Sequence, residues 1–426
     1  MRFSKAFSIS LLCLIYSISV FATELKVYPN ALAPDYSSIQ DAVDASSDGD
    51  IIYIDTMTYV GNVEISGKAI SLYPMRDVGM YTINGDLDIQ LYNNQTVYIQ
   101  GLSGGSCYVN YNGSNQYQEN RKIIFNGCYF SSNVQVQTYV KSEIYYSEFN
   151  SNITLRDCEL IGNRFNGAVT IYSGSSNGET KIYANRFDFT GTNQNHLNIN
   201  VQRNIHIANN YFQKPNLASS YPRFLYVESS NDEIEVLVEN NTFTRNGLGG
   251  NTQWPSQTSS SFSSIHFNNG IVICRNNFVE FNSYYDYAQG VYCSSVAVYN
   301  FSHNMVRLQS YGSSTSIEEN HFGGGDIQTI ENNYFQAPAI SPDQETLGYL
   351  LGEDDLGSPD AACRDIDNTI NDIGTYGGPH SWENYHSSSV SKAQILDLEI
   401  PYYQVILPGV ELQFNSKAIN KNIPTQ

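Results

Sequence analysis

The chain carries one concentration of carboxylates, and it lies towards the C-terminus. Glu353, Asp354 and Asp355 are followed by Asp360, Asp365, Asp367 and Asp372. Ca²⁺ prefers oxygen ligands, so Asp365, Asp367 and Asp372 are candidate calcium ligands and Ca²⁺ is a candidate cofactor. The spacing differs from that of an EF-hand loop, which has a central glycine and a closing glutamate. A solvated acidic loop is the alternative interpretation.

The basic side chains in the middle of the chain are isolated from one another. Arg164, Arg186 and Arg275 each adjoin an asparagine, so we expect solvated side chains at turns. His206 and His266 alternate with apolar residues, which predicts imidazoles that point to solvent or stack on a sheet face. The sequence assigns a catalytic role to none of these residues.

One short phrase recurs along the chain: two or three apolar residues, an Asn, and then an aromatic residue. It occurs at eight places, with Asn at 126, 163, 185, 209, 240, 276, 320 and 333 and the closing Phe at 130, 165, 187, 212, 243, 278, 322 and 335. Units of this size cannot bury an apolar face alone and must stack on their neighbours. The apolar parts are short and β-branched, which indicates strands.

Stacked strands lie about 4.8 Å apart, so each Asn would lie over the previous Asn and each Phe over the previous Phe. Asn tolerates the left-handed backbone of a sharp corner, and its amide can hydrogen-bond around a turn. The sequence therefore predicts an all-β parallel β-solenoid with an amide ladder at one corner and an aromatic stack in the core. Residues 190–198, 214–222, 246–264 and 282–289 are predicted loops that could wall a groove.

The N-terminal 22 residues have the pattern of a secretory signal peptide. Arg2 and Lys5 precede an apolar run, and Val20-Phe-Ala22 is a small-residue cleavage pattern. We therefore expect a secreted protein, extracellular or at the cell surface, without a membrane span. The net charge of -20 argues against nucleic acid, anionic lipid or a polyuronate held directly by basic residues as partners. Neutral glycans, cationic partners and calcium-bridged acids remain, and polysaccharide or cell-surface glycan is the candidate partner. A monomer is expected.

Six cysteines follow the predicted signal peptide. The gaps from Cys107 to Cys128 and from Cys274 to Cys293 are each close to one solenoid turn, so disulfides between neighbouring turns are compatible with bridging geometry. Buried free thiols stacked in the core are the alternative.

Residues 36–74 begin with a capping-box pattern, Ser38 and Asp41, ahead of a short amphipathic helix through Ile39, Ala42 and Val43. Such a helix would cover the open end of the first turn. Its Ser-Ile-Gln-x-Ala-Val-x-Ala motif, the following Gly-Asp-x-Ile-x-Ile and Gly-Lys-x-Ile-x-Leu strands, and the Asn371–Pro379 phrase Asn-Asp-Ile-Gly-Thr-Tyr-Gly-Gly-Pro resemble secreted right-handed parallel β-helix proteins of the pectin-lyase-like superfamily.

This resemblance implies an N-terminal cap and first coils over 23–74 and a right-handed parallel β-helix over 75–385. The tail 386–426 is a predicted hairpin with strands at 395–401 and 410–414. The superfamily contains lyases, hydrolases and non-catalytic proteins, and the local catalytic motifs of its polygalacturonases, pectate lyases and epimerases are missing from this sequence. Two hypotheses follow: a non-catalytic glycan- or surface-binding adhesive protein, or a polysaccharide lyase or glycoside hydrolase with a divergent site in a loop-walled groove.

Overall fold

The computed structural model describes residues 22–30, 32, 35–76, 79–113, 121–137, 139–173, 178–188, 195–215, 223–246, 263–282, 289–309, 322–323, 329–336, 355–365, 369–386, 393–399 and 415–420. Over most of this length the chain winds as a right-handed parallel β-helix, as predicted. From Ile51 to Gly323, each coil contributes one strand to sheet 1, one to sheet 2 and one to sheet 3, in that order. Among these residues the three sheets contain 13, 12 and 11 strands.

The strands of sheet 1 are Glu24–Val27, Ile51–Ile54, Ser71–Pro74, Thr96–Gln100, Lys122–Asn126, Lys141–Tyr145, Cys158–Ile161, Glu179–Tyr183, Asn204–Ala208, Glu235–Glu239, Ile271–Arg275, Val298–Ser302 and Thr329–Glu331. Those of sheet 2 are Thr58–Val60, Tyr81–Asn84, Leu102–Gly104, Tyr129–Phe130, Glu148–Phe149, Arg164–Phe165, Arg186–Phe187, Tyr211–Pro215, Thr242–Asn246, Phe278–Asn282, Met305–Gln309 and Tyr334–Gln336. Those of sheet 3 are Val63–Ser66, Leu87–Leu91, Cys107–Tyr111, Val134–Val136, Ile153–Arg156, Val169–Tyr172, Leu197–Val201, Leu225–Ser229, Ser263–Asn268, Gln289–Ser294 and Phe322–Gly323.

The predicted aromatic stack fills the core beside sheet 2. Phe187 and Phe212 lie on adjacent coils with ring centroids 4.5 Å apart and planes only 4° from parallel. The stack runs on in both directions, through Phe149 and Phe165 at 5.3 Å and to Phe243 at 4.7 Å. Side chains of a strand alternate between the two faces, so one ring per coil enters the core and continues the column.

The predicted amide ladder also exists, at the corner between sheets 1 and 2. It runs through Asn163, Asn185, Asn210, Asn241, Asn277, Asn304 and Asn333. Each side-chain oxygen accepts from the backbone N–H and the amide of the preceding ladder residue, as Asn241 Oδ1 does from Asn210 at 2.9 and 3.0 Å. The buried amides of the ladder are thereby paired.

The assignment of particular residues to the repeat was wrong at several coils. In the Asn-Asn pairs the second residue forms the ladder, whereas Asn209, Asn240 and Asn276 have positive φ at the bend itself. At the first phrase the ladder position is Cys128 rather than Asn126, since it lies two residues before Phe130 and its N–H bonds to Ser147.

Two of the predicted closing phenylalanines also lie elsewhere. Val279, not Phe278, pairs with Phe243 and enters the core. Phe278 points outward and packs with Met305 and Ile373. Phe322 belongs to sheet 3, where it pairs with Val291, and Asn320 of that phrase lies outside the described residues.

A helix, Ile39–Ala45, lies against the first coils. Asp41 N–H donates to Ser38 Oγ at 3.3 Å, which caps the helix start. Ile39, Ala42 and Val43 are buried in the main core, so the apolar end of the solenoid is covered.

The segment 355–386 folds back onto the corner between sheets 1 and 2. It contains a 3₁₀ turn, Ala361–Cys363, and the helix Trp382–His386. Asn240 Nδ2 donates to Asn371 Oδ1 at 2.6 Å and to Asp372 O at 2.9 Å. Asn209 Nδ2 donates to Thr375 O at 2.9 Å, so the positive-φ asparagines of successive coils hold this segment.

Beyond it, strands Ala393–Glu399 and Asn415–Asn420 pair antiparallel. The predicted strand at 410–414 lies outside the described residues. Of the two alternatives for the cysteines, the structure shows buried free thiols at Cys107, Cys128, Cys158, Cys274, Cys293 and Cys363. In the described part of the chain no helix has the length and apolarity needed to cross a membrane.

Candidate functional site

The outward face of sheet 3 presents a column of aromatic rings. Tyr226, His266 and Tyr292 occupy the same register position on three successive strands. The ring centroids of Tyr226 and His266 are 5.1 Å apart, and those of His266 and Tyr292 are 5.0 Å apart. The rings are half-buried and inclined to one another, at 51° and 67°. Together they form a continuous strip of ring surface about three coils long.

A second column, two residues further along the same strands, carries hydrogen-bonding groups. Asn200 Nδ2 donates to Glu228 Oε2 at 3.1 Å, and Asn268 Nδ2 reaches Glu228 Oε1 at 3.5 Å. Ser294 Oγ donates to Asn268 Oδ1 at 3.1 Å. This column therefore places amides, a carboxylate and a hydroxyl beside the rings.

The two columns are joined through His266. Its Nε2 lies 3.1 Å from Ser294 Oγ. Burial and the positive charge of Arg223 lower the pKa of His266 to about 4, so the imidazole is neutral at physiological pH. A neutral imidazole has one donor and one acceptor nitrogen, which suits hydrogen bonding to a hydroxyl-rich ligand.

Arg223 lies at the edge of the ring column. Its guanidinium carbon is 5.3 Å from the Tyr226 ring centroid, within the range of a cation–π contact. Burial lowers the pKa of Arg223, but an arginine stays protonated under any physiological condition. Burial first, and then the negative charge of Glu228, raise the pKa of Tyr226. The phenol therefore remains a hydrogen-bond donor.

Further along the same face is a cleft of about 370 Å³. Thr154, Thr170 and Asn198, which share the register position of Tyr226, line it together with Asn152 and Asn195. The guanidinium carbon of Arg156 lies 4.3 Å from the ring centroid of its neighbour Tyr172. Polar and aromatic side chains thus continue over several coils of sheet 3.

The predicted loops connect described strands of sheet 2 to described strands of sheet 3. Each of the connections at 190–198, 214–222, 246–264 and 282–289 runs from a sheet 2 strand to the next sheet 3 strand. They leave the coils at one corner, which adjoins the ring column, and most of their residues lie outside the described part of the chain.

The isolated basic residues are placed differently from one another. Arg275 is not a solvated corner side chain, because it pairs with buried Glu239 at 2.8 Å. His206 lies 2.7 Å from Glu239 on the other side and against the Tyr183 ring, beneath His380 of the docked C-terminal segment. This cluster is covered by the chain itself and anchors that segment.

Arg164 and Arg186 are more accessible. They lie side by side on sheet 2 and both pair with Asp188.

The candidate calcium ligands hold backbone groups of the docked segment. Asp365 accepts from the N–H groups of Asp372 and Gly378, and Asp372 Oδ1 accepts from Asp355 N–H at 2.9 Å. Asp367 lies outside the described residues, and in the described part of the chain no three potential ligands come together. Calcium binding here stays a prediction.

The ring column could not be found from the sequence, because the loops between its strands differ in length and leave no period. Comparison with known proteins adds no assignment: no family model matches this chain, and neither the curated proteins nor the solved structures contain a significant match.

Proposed function

We propose that this chain is an exported, non-catalytic glycan-binding protein of the pectin-lyase-like type, which uses the outward face of sheet 3 to adhere to a carbohydrate surface. The single observation that carries the proposal is the column of Tyr226, His266 and Tyr292 beside the polar column of Asn200, Glu228 and Asn268. Aromatic rings offer flat apolar surface to the C–H face of a sugar, and amides and carboxylates pair with its hydroxyls.

The spacing of the face suits an extended ligand. Successive rings are about 5 Å apart along the solenoid. A glycan chain lying along the axis would therefore contact several coils at once, each adding a small amount of binding energy. The net charge of -20 favours a neutral glycan over a polyanionic one.

Catalysis by the same face is the second candidate, and one observation favours it. Arg223, Tyr226, Glu228 and His266 meet on adjacent strands, so a base, an acid and a cation are available. Against it, the pKa of Tyr226 is raised, Glu228 is held by amides, and the pKa of His266 is lowered to about 4, so none of the three is a strong base at neutral pH. A divergent lyase or hydrolase would need a different proton acceptor.

The test is a glycan array followed by titration calorimetry with the purified protein, with and without Ca²⁺. Tyr226→Ala and His266→Ala should weaken binding about tenfold each, since each removes a ring contact. Tyr53→Ala is the matched control, because Tyr53 is an outward tyrosine of sheet 1, on a different face of the solenoid. Unchanged affinity in both column variants would refute the site.

Turnover of the same glycans is measured in two ways. Absorbance near 235 nm detects unsaturated products, and a reducing-end assay detects newly cleaved chains. New unsaturated or reducing ends that disappear in His266→Ala would establish the enzymatic alternative instead.

A further inference from the structure

A second cleft, of about 530 Å³, lies where the helix Trp382–His386 crosses the corner between sheets 1 and 2. Sheet 2 contributes Glu148, Arg164 and Arg186, which occupy one register column. The helix contributes Trp382 and His386. The site is on a different sheet from the ring column and is independent of the proposed function.

The cleft lining presents two guanidinium groups, and two carboxylates balance their charge: Asp188, which bonds to both, and Glu148. Arg164 Nε and Arg186 Nε both bond to the single carboxylate of Asp188, at 3.0 and 2.7 Å. Asp188 itself does not line the cleft. The lining therefore has two guanidinium groups and one carboxylate, Glu148, on a chain that is otherwise strongly acidic.

The guanidinium groups retain hydrogen-bonding capacity. Asp188 engages Arg164 through Nε alone, and the Arg164 side chain is about half exposed at 48%. Arg186 uses Nε for Asp188 and Nη2 for Gln213 at 3.1 Å. Guanidinium has five N–H donors, so several terminal donors of this pair have no partner among the described residues. The two terminal nitrogens of a guanidinium group match the two oxygens of a carboxylate.

The apolar part of the cleft consists of aromatic rings. Trp382 stacks on His386 with centroids 3.7 Å apart, which fixes the indole in place. Tyr129 and Tyr146 line the same cleft. A rigid aromatic wall beside guanidinium donors is suited to a compact ligand with a flat ring and an acidic group.

We propose that this cleft binds a small molecule in which one carboxylate is attached to a ring, with the carboxylate on Arg164 and Arg186 and the ring against Trp382. Its volume holds a ligand of about one or two rings. An acidic sugar and an aromatic acid share this chemistry.

The fluorescence of Trp382 can report ligand binding in the cleft. The sequence contains two tryptophans, Trp254 and Trp382, so Trp254→Phe leaves a single reporter. In this background, glucuronate and benzoate are titrated against the fluorescence, with glucose and benzyl alcohol as uncharged counterparts. We expect the fluorescence to change saturably with each carboxylate that binds and to stay constant with its uncharged counterpart. The acid that binds more tightly shows whether the cleft prefers an acidic sugar or an aromatic acid.

Arg164→Gln should weaken carboxylate binding at least about tenfold, as expected for loss of a charge-assisted hydrogen bond. Lys26→Gln removes the same charge at an exposed position elsewhere and should have no effect. Met80→Glu adds a negative charge to the lining without breaking an ion pair, and it should weaken binding even if Arg164→Gln folds poorly.

Absence of saturable change with either acid, or equal binding of the uncharged counterparts, would overturn the proposal. Glycan binding by sheet 3 should be unchanged in Arg164→Gln, so failure of one proposal leaves the other standing.

Discussion

Glu239 and Arg275 lie side by side on neighbouring strands of sheet 1, and Arg275 Nε donates a hydrogen bond of 2.8 Å to Glu239 Oε2. The other oxygen of Glu239 lies 2.7 Å from His206 Nε2. Glu239 is nearly buried, with 8% of its side chain exposed. A carboxylate in this position is tolerated only because both oxygens have partners.

Low pH should decrease the free energy of unfolding of the protein, because it protonates the carboxylate of Glu239. Burial alone would raise the pKa of Glu239, but the hydrogen bonds and charges of His206 and Arg275 outweigh it and lower the pKa to about 2. The folded pKa is below the unfolded value of about 4.3, so the stabilisation is complete above that value and is lost as the pH falls towards 2. It amounts to on the order of 3 kcal/mol.

The measurement is the free energy of unfolding of the wild type and of Glu239→Gln between pH 2 and 7. The difference between them should be largest near neutral pH and should shrink below about pH 4. Glu235→Gln, an exposed glutamate of the same strand, is the control and should show little pH dependence. A difference that stays constant down to pH 2 would contradict the assignment.

The amide ladder should respond strongly to loss of one member. Asn241 Nδ2 donates to Ile207 O at 2.8 Å and to Asn277 Oδ1 at 3.0 Å, and its oxygen accepts from Asn210. Asn241→Ala deprives the Asn210 backbone N–H of its acceptor and removes one bond each from Asn210 Nδ2, Asn277 Oδ1 and Ile207 O, at a total cost of about 1–3 kcal/mol. Thermal unfolding checks this, with exposed Asn112→Ala as the control. Equal melting temperatures for the two variants would rule out a stabilising ladder.

The docked C-terminal segment should loosen when one anchoring amide is removed. Asn240 has φ of +54°, so Asn240→Gly keeps the backbone conformation and deletes only the side chain that holds Asn371 and Asp372. Hydrogen exchange of residues 371–378 should accelerate about tenfold or more, while the core strands stay protected.

Asn30→Gly is the matched control for this change, because Asn30 is an exposed asparagine with φ of +57°. Acceleration of the core strands to the same extent would indicate general destabilisation instead of release of the segment.

Much of the fold could be predicted because core packing repeats. The ring of Phe187 must lie over that of Phe212 if successive coils stack, and only the sequence spacing is needed to see it. The choice between Asn240 and Asn241 was within reach of the sequence, since ladder residues Asn163, Asn185, Asn210 and Asn241 each stand two residues before the core phenylalanine of their coil. The role of Asn240 was not, because its partner Asn371 lies 131 residues away and no local pattern carries that information.

The ring column was missed for a related reason. Tyr226, His266 and Tyr292 come together only because sheet 3 aligns three coils whose connecting loops differ in length. The pattern of charges in the sequence did not predict the role of Arg275 either. It was interpreted as a surface residue, because its partner Glu239 lies on another coil. Which residues become neighbours on adjacent coils of unequal length is decided by the folded structure, and the spacing of residues in the sequence does not show it.

The positive-φ asparagines limit how this architecture can vary in length. Asn209, Asn240 and Asn276 lie on consecutive coils and each meets a different part of the returning segment. Duplicating or excising a coil between them would move one anchor out of reach of its partner.

The returning segment also contacts earlier coils, where Tyr385 packs with Tyr146 and His386 Nε2 lies 2.7 Å from Ala184 O. Gain or loss of a coil is therefore compatible with this packing only before the coil of Tyr146, and the returning segment fixes the number of coils from there to Asn276.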